Sequence, residues 1–356
     1  MQGELIAGYR KHTAKKAIVL VALCCIAVLL TAVCIFVGSS GISFWEVVKA
    51  LFGAGEEVNI RIVWNIRFPR VLAAIVAGGG LAVSGCIMQN VLKNPMASPS
   101  TLGVGNASVF GANFAIIVLG AGSFHSTHGN WLTLDNPYVV TICSFVFALL
   151  CVGVILLLSA YKRFTPPTIV LAGVAIGSIF QAATTILQYF AIDYQVSSAV
   201  YWTFGDLGRA TYGEDLIMAI VVVCSFAYFF FKRWDYCAMS NGMAFAKSVG
   251  VKTQSVTVVS LFLASLITAV CVSFLGIIGF IGLIAPQIMK RIIGDDYRFL
   301  LPCSFACGTC ILLVSDTVGR LVIAGTSLPV GAITSLLGGP LFLMLLLKEK
   351  KHVSRR

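Results

Sequence analysis

Charge is what this sequence has least of. Only 11% of its 356 residues are Asp, Glu, Lys or Arg, against 58% apolar residues and a mean hydropathy of +0.95. A soluble domain carries roughly 25% charged residues to cover its surface. The shortage excludes a soluble enzyme, a nucleic-acid reader and a secreted disulfide scaffold, and leaves an all-α polytopic membrane protein. Other absences narrow the class. No GxxxxGK[ST] phosphate loop occurs, because Ala246-Lys247-Ser248 and Val251-Lys252-Thr253 both lack glycine before the lysine. The apolar segments hold almost no carboxylate at midplane depth, where a proton-driven carrier would be expected to keep one, although sodium sites can use backbone carbonyls. Spacing assembles no nucleophile–base set or metal cluster for a membrane hydrolase. Active transport by this chain would draw its energy from another subunit.

What the sequence does hold is long apolar runs. A hydrocarbon core about 30 Å thick takes roughly 20 helical residues to cross. Ten spans are predicted, near residues 17–37, 71–92, 101–121, 138–160, 168–191, 216–231, 256–275, 278–293, 300–318 and 329–347. With the N-terminus inside, 19 of the 25 Lys and Arg residues fall on the inner side, and nine of the 14 acidic residues fall on the outer side. This is the bias that orients membrane proteins. The net charge of +11 is therefore read as topology plus attraction to anionic lipid, with no nucleic-acid partner. The first run, 21 residues long, exceeds the signal-peptide core of about 7–15 residues and is read as an anchor.

Of twelve cysteines, eleven lie in predicted spans and Cys237 lies in an inner loop, so no outer disulfide is expected. Cys303, Cys307 and Cys310 share one helix face, as soft side chains at a helix contact or as a thiolate site. His125 and His128 stand three apart in an outer loop, and two ligands alone make no metal site. No cofactor or metal is expected on this chain.

Glycine, 34 in all, recurs inside the spans, as Gly78-Gly79-Gly80, Gly85, and Gly173 with Gly177, which allows close helix approach. Asp316 stands four residues before Arg320, a local ion pair in helical spacing. In the fifth span Gln181, Thr184, Thr185 and Gln188 form a stripe of amide and hydroxyl groups. It is either the lining of a passage for a polar or bulky solute or a set of interhelical hydrogen bonds. Tyr189, Tyr194, Tyr201 and Trp202 follow, as an interfacial belt or a binding surface.

Four stretches together carry a resemblance. They are Arg67-Phe68-Pro69-Arg70 running on through Gly85, Gln89, Asn94-Pro95-Met96-Ala97 and Leu102-Gly103; Ala246 to Val251; Gly279 to Pro286 with Arg291, Gly294, Asp295 and Arg298; and Asp316 with Arg320, Leu328 to Gly331 and Gly338 to Phe342. In this order, over most of the chain, they resemble the FecCD or BtuC-like permease subunit of type II ABC importers, which take up iron–siderophore complexes, haem and vitamin B12. Gln287 and Tyr297 replace histidines usual in that family, and Met96 replaces leucine.

The resemblance implies a BtuC-like permease fold of about ten transmembrane helices in a single domain over residues 1–356, in the bacterial cytoplasmic membrane with both termini inside. It implies a second permease subunit, identical or paralogous, with the passage between the two. It further implies two cytoplasmic ATPase subunits, which would carry ATP and Mg, and an extracytoplasmic solute-binding lipoprotein. Arg67, Arg70 and Arg320 would dock the binding protein through its glutamates, or else anchor helix ends. The inner loop 232–254, with Ala246, Lys247, Ser248, Val249 and Gly250, would couple to the ATPase and pass its motion to the spans flanking the loop. Thr165, Pro166 and Pro167, together with Asn94 and Pro95, would sit near the cytoplasmic gate. An ion-coupled carrier acting alone and a membrane enzyme stand as the other classes.

Overall fold

The computed structural model describes residues 2–38, 41–123, 133–134, 136–162, 166–322 and 327–353. Thr165, His125 and His128 lie outside the described residues. Helix α1 (Gln2–Phe36) leads through the short helices α2 (Phe44–Leu51) and α3 (Glu57–Arg61) into a π-helical turn, Ile62–Arg67, that runs on as α4 (Phe68–Val91). A 3-10 turn, Pro99–Leu102, precedes α5 (Val104–Asn113), which itself ends in a π-helical stretch, Phe114–Val118. Then come α6 (Pro137–Lys162), α7 (Pro166–Tyr189), α8 (Asp193–Thr203) and α9 (Tyr212–Phe231). The short pair α10 (Arg233–Ser240) and α11 (Met243–Ser248) separates α9 from α12 (Thr253–Leu275). The chain finishes with α13 (Ile281–Ile293), α14 (Tyr297–Leu321) and α15 (Val330–Val353).

Each of the ten apolar segments lies in a helix, and seven of these helices are long and apolar enough to cross a bilayer. Three are shorter, for local reasons. Gly103, at φ +76°, ends the 3-10 turn and restarts the chain as α5, so the third segment is broken near its start. Gly276 at φ +78° and Phe280 at φ +66° bend the chain sharply between α12 and α13, leaving α13 thirteen residues. Pro340 lies inside α15, which has a 15-residue apolar stretch, Val330–Met344. The second segment is longer than its apolar core suggests. Helical backbone continues from Glu57, past Arg61, Arg67 and Arg70, because those charges have partners within the fold. A two-residue hairpin, β1 (Gly122–Ser123) against β2 (Thr133–Leu134), is the sole sheet among the described residues and was not foreseen.

Burial sets the layers. In its most apolar window α4 is 83% buried, α12 and α14 67%, but α1 only 11%. So α4, α12 and α14 form the centre, while α1, α6, α7 and α9 turn wide apolar faces outward. Close packing at the centre needs glycine. A Cβ on Gly85 would stand 1.7 Å from the Gly282 carbonyl oxygen of α13, and one on Gly78 would stand 2.7 Å from that of Gly308 in α14. Lipid gives helices no hydrophobic drive toward each other, so such contact and interhelical hydrogen bonds hold them. Ser84 Oγ donates to Ala264 O of α12 at 2.6 Å, and Thr309 Oγ1 of α14 donates to Ile75 O at 3.1 Å.

Candidate functional site

The three arginines expected to dock the binding protein are buried, at 4% exposure for Arg67, 9% for Arg70 and 6% for Arg320. Arg70 Nε donates to Asp316 Oδ1 at 2.7 Å, and its Nη2 stands 3.4 Å from Asp206 Oδ1. Arg320 Nε stands 3.0 Å from Asp316 Oδ2, so the i, i+4 pair is present, but Asp316 serves two guanidiniums rather than one. Arg67 Nη1 donates to the carbonyls of Ile35 and Phe36, and Arg320 Nη1 to those of Cys34 and Val37. These carbonyls close the C-terminal end of α1, whose last turn has no basic residue of its own. The negative end of the helix dipole attracts cations, and here two arginines from other elements supply them. The guanidiniums are thus directed into the protein, where they lock α1, α4, α14 and the 203–209 segment together. In this arrangement none is presented on the surface for a partner's carboxylate.

The stripe on α7 divides. Thr184 is buried and donates to Phe180 O at 2.8 Å, and Gln188 Nε2 donates to Asn113 Oδ1 of α5 at 2.9 Å. Gln181 and Thr185, in contrast, are exposed on one face with Ser178. Thr185 Oγ1 donates to Gln181 O, and Ser178 Oγ to Val174 O, so the two hydroxyls are satisfied by their own helix. Of the four stripe residues, only Gln188 bonds another helix; Thr184 is buried but bonded within α7, and Gln181 with Thr185 forms a polar face on an otherwise apolar wall. On the face of α7 that carries Thr184 and Gln188, Gly173 and Gly177 press against the backbone at Leu102 and Gly103.

Residues 232–254 hold the helix pair α10 and α11. Ala246 is fully buried, whereas Lys247, Ser248 and Val249 are exposed, as is Phe245. Gly250, at φ +86°, donates to Lys247 O at 3.1 Å, and Val251 N to Ala246 O at 2.9 Å. The reversal that closes α11 needs a left-handed residue, which glycine adopts without strain.

Between α4, α10, α13 and α14 lies a polar cavity of about 300 Å³, lined by Gln89, Asn90, Lys93, Asn94 and Pro95 together with Ser240, Gln287, Lys290 and Tyr297. Gln287 Nε2 donates to Gln89 Oε1 at 2.7 Å and to Pro95 O at 3.1 Å, which fixes the turn after α4. Asn94 Oδ1 accepts from Met96 N at 2.9 Å. Burial, and then the neighbouring charge of Lys290, lower the pKa of Lys93. Pro166 and Pro167 open α7.

Cys303 and Cys307 are buried, and Cys310 Sγ lies 3.9 Å from Leu23 O of α1, at a helix contact. Among the described residues no three His, Cys, Asp or Glu side chains are grouped to hold a metal. Sequence reasoning missed Asp206, Asn90, Asn113 and Ser178. The two asparagines, polar residues in apolar helices, were the available signal.

This chain matches the FecCD transport family over residues 24–348. It belongs to that family of ABC-transporter membrane permeases. It is 48% identical over 345 residues to a Methanocaldococcus jannaschii protein named as an ABC transporter permease, covering 97% of this chain and 98% of that one. It is 32% identical to the hemin transport system permease HmuU of Yersinia pestis, covering 82% and 85% of the two chains, and 33% identical to the vitamin B12 import system permease BtuC of Escherichia coli, covering 81% and 84%. Its fold is similar to a structure described as an inward-facing metal-chelate type ABC transporter, with a TM-score of 0.79, 24% identity, and coverage of 92% of this chain and 98% of that one.

Proposed function

We propose that this chain is the membrane permease of an ATP-driven importer for a bulky iron chelate, a ferric siderophore or haem, or for a cobalamin. The observation that carries the reading is the helix pair α10–α11. Its inner side is tied into the α4, α12 and α14 core, while Phe245, Lys247 and Val249 are left bare toward the aqueous side. A separate ATPase dimer, holding ATP and Mg, would press on that surface. The chain would act in the cytoplasmic membrane with both ends inside, as a single ten-span domain. It would pair with a second permease so that Ser178, Gln181 and Thr185 line the passage between them. A solute-binding lipoprotein would deliver the chelate from outside.

For the outer face, the buried arginine cluster supports a narrower role than direct docking. Arg67, Arg70 and Arg320 fix the helix ends on which the binding protein would rest. Reversing all three to glutamate should then cost folding stability as well as docking. A guanidinium that only docks a partner would cost docking alone.

The test is reconstitution. Purified chain, with the ATPase it copurifies with and its binding protein, should accumulate one of ferric hydroxamate, ferric citrate, haem or cobalamin in liposomes only when ATP is supplied. Concentrative uptake by the lone chain under an ion gradient would overturn the proposal.

A further inference from the structure

The inner end of α4, the most buried helix, is bonded to α10 at two points. Asn90, only 5% exposed, donates from Nδ2 to Tyr236 O at 3.1 Å. One turn later Lys93 Nζ donates to Met239 O. Both acceptors belong to α10, and the second lies in its last turn, where carbonyls carry the negative end of the helix dipole and attract a cation. Lys93 reaches it from a left-handed backbone, φ +49°. A residue with a Cβ is strained there and adopts this conformation only where its surroundings fix it. The same last turn of α4 borders the 300 Å³ cavity, which Asn90 and Lys93 help to line, rather than a packed apolar wall.

Farther along α4 the situation reverses. Gly78 and Gly85 bring its backbone against α14 and α13 with no room for a methyl group, and Ser84 ties it to α12. Packed interiors do not absorb a displacement gradually. A shift imposed at Asn90 and Lys93 is therefore handed on to three helices at once.

We infer that Lys93, together with Asn90, is the joint through which a displacement of α10 reaches the helix core by way of α4. Both are positioning residues. The route differs from transmission through α9 and α12, the helices that flank the inner segment in sequence. The inference rests on the reading of α10 and α11 as the ATPase-contacting surface.

Hydrogen-exchange mass spectrometry on the chain copurified with its ATPase, in nanodiscs, tests the joint. Nucleotide-free complex is compared with complex trapped by ATP and vanadate. In wild type and in Lys93→Arg, trapping should change exchange in both residues 84–93 and residues 233–240. In Lys93→Met and Asn90→Leu, the change in 84–93 should shrink at least threefold while that in 233–240 persists. An undiminished response of 84–93 in both variants overturns the inference, as does a wild type whose 84–93 segment never responds. Loss of the response in 233–240 as well would make Lys93 a holder of α10 and not a link, and also overturns it. If the wild-type chain binds no ATPase, the functional reading falls first, before any variant is compared.

Discussion

Arg70 and Asp316 meet at 2.7 Å although 246 residues of chain separate them, and both are buried at one end of the helix core. Breaking a buried pair by removing one partner costs about 3–5 kcal/mol, because the remaining charge stays in a poor solvent. Asp316 neutralises two guanidiniums, so Asp316→Asn should cost at least as much as Arg70→Met. Thermal unfolding in detergent checks this. Equal stability of Asp316→Asn and wild type would mean that the cluster is not a structural lock.

Close approach at Gly85 is a second point of failure. A methyl group there would meet the Gly282 carbonyl at 1.7 Å, with no flexible side chain to give way. Gly85→Ala should lower stability by about 1–3 kcal/mol or more, as overpacking does. Gly105→Ala, whose added methyl would have no atom within 4 Å, is the control and should be near neutral. The melting temperatures of the two variants decide the matter.

At the opposite end of the bundle from Asp316, Asp296 bonds Lys16 of α1 at 3.2 Å and Arg298 at 2.9 Å. Burial opposes its charge, but the hydrogen bonds from Arg298 and Lys16 outweigh that and hold its pKa at about 2, below the usual 3.8. A carboxylate with a depressed pKa stabilises the fold fully above its unfolded value and loses that contribution as pH falls. The difference amounts to about 2 kcal/mol. Asp296→Asn should therefore be less stable than wild type at pH 6, with the gap closing between pH 4 and pH 2. A gap independent of pH would contradict the assignment.

Asp215, in the first turn of α9, is 4% exposed, and neither carboxylate oxygen has a hydrogen-bond partner among the described residues. A buried acceptor left unmade costs about 1–3 kcal/mol, more when charged. Asp215→Asn should raise the melting temperature. An unchanged or lowered value would show that the carboxylate is satisfied in the membrane-embedded protein.

The exposed half of the α7 stripe separates passage from packing. Gln181→Leu with Thr185→Val should leave stability within about 0.5 kcal/mol, as surface changes do. Uptake by the reconstituted complex should fall by about tenfold, equivalent to roughly 1.4 kcal/mol. Thr184→Val and Gln188→Leu touch the buried half and should lower stability instead. Uptake that survives the first pair removes α7 from the passage.

Much of the architecture was legible because lipid imposes a simple demand. Backbone polar groups must be satisfied within a helix, and an apolar run of sufficient length announces one. Arg67 and Arg70 illustrate where that reading stops. Placed beside a stretch of apolar residues, they read as outward-facing charges at a helix end. Their partners, Ile35, Phe36, Asp206 and Asp316, lie far away in sequence, and no spacing rule connects them. Gln181 and Gln188 make the same point on one helix. They share a periodic stripe, yet one faces outward and the other bonds Asn113, because the position of α5 divides the stripe.

The amino-acid order alone determined that this chain lives in a bilayer as helices, where small residues would let those helices touch, and to which permease family it is akin. Solvent transfer and local periodicity act residue by residue, so they can be read without coordinates. Tertiary structure alone decided that Asp316 holds two arginines, that α1 is capped by side chains from the π-helical turn before α4 and from α14, and that Lys93 reaches α10. Such contacts depend on which helices become neighbours, and pairing between distant segments is set by the packing of the whole bundle.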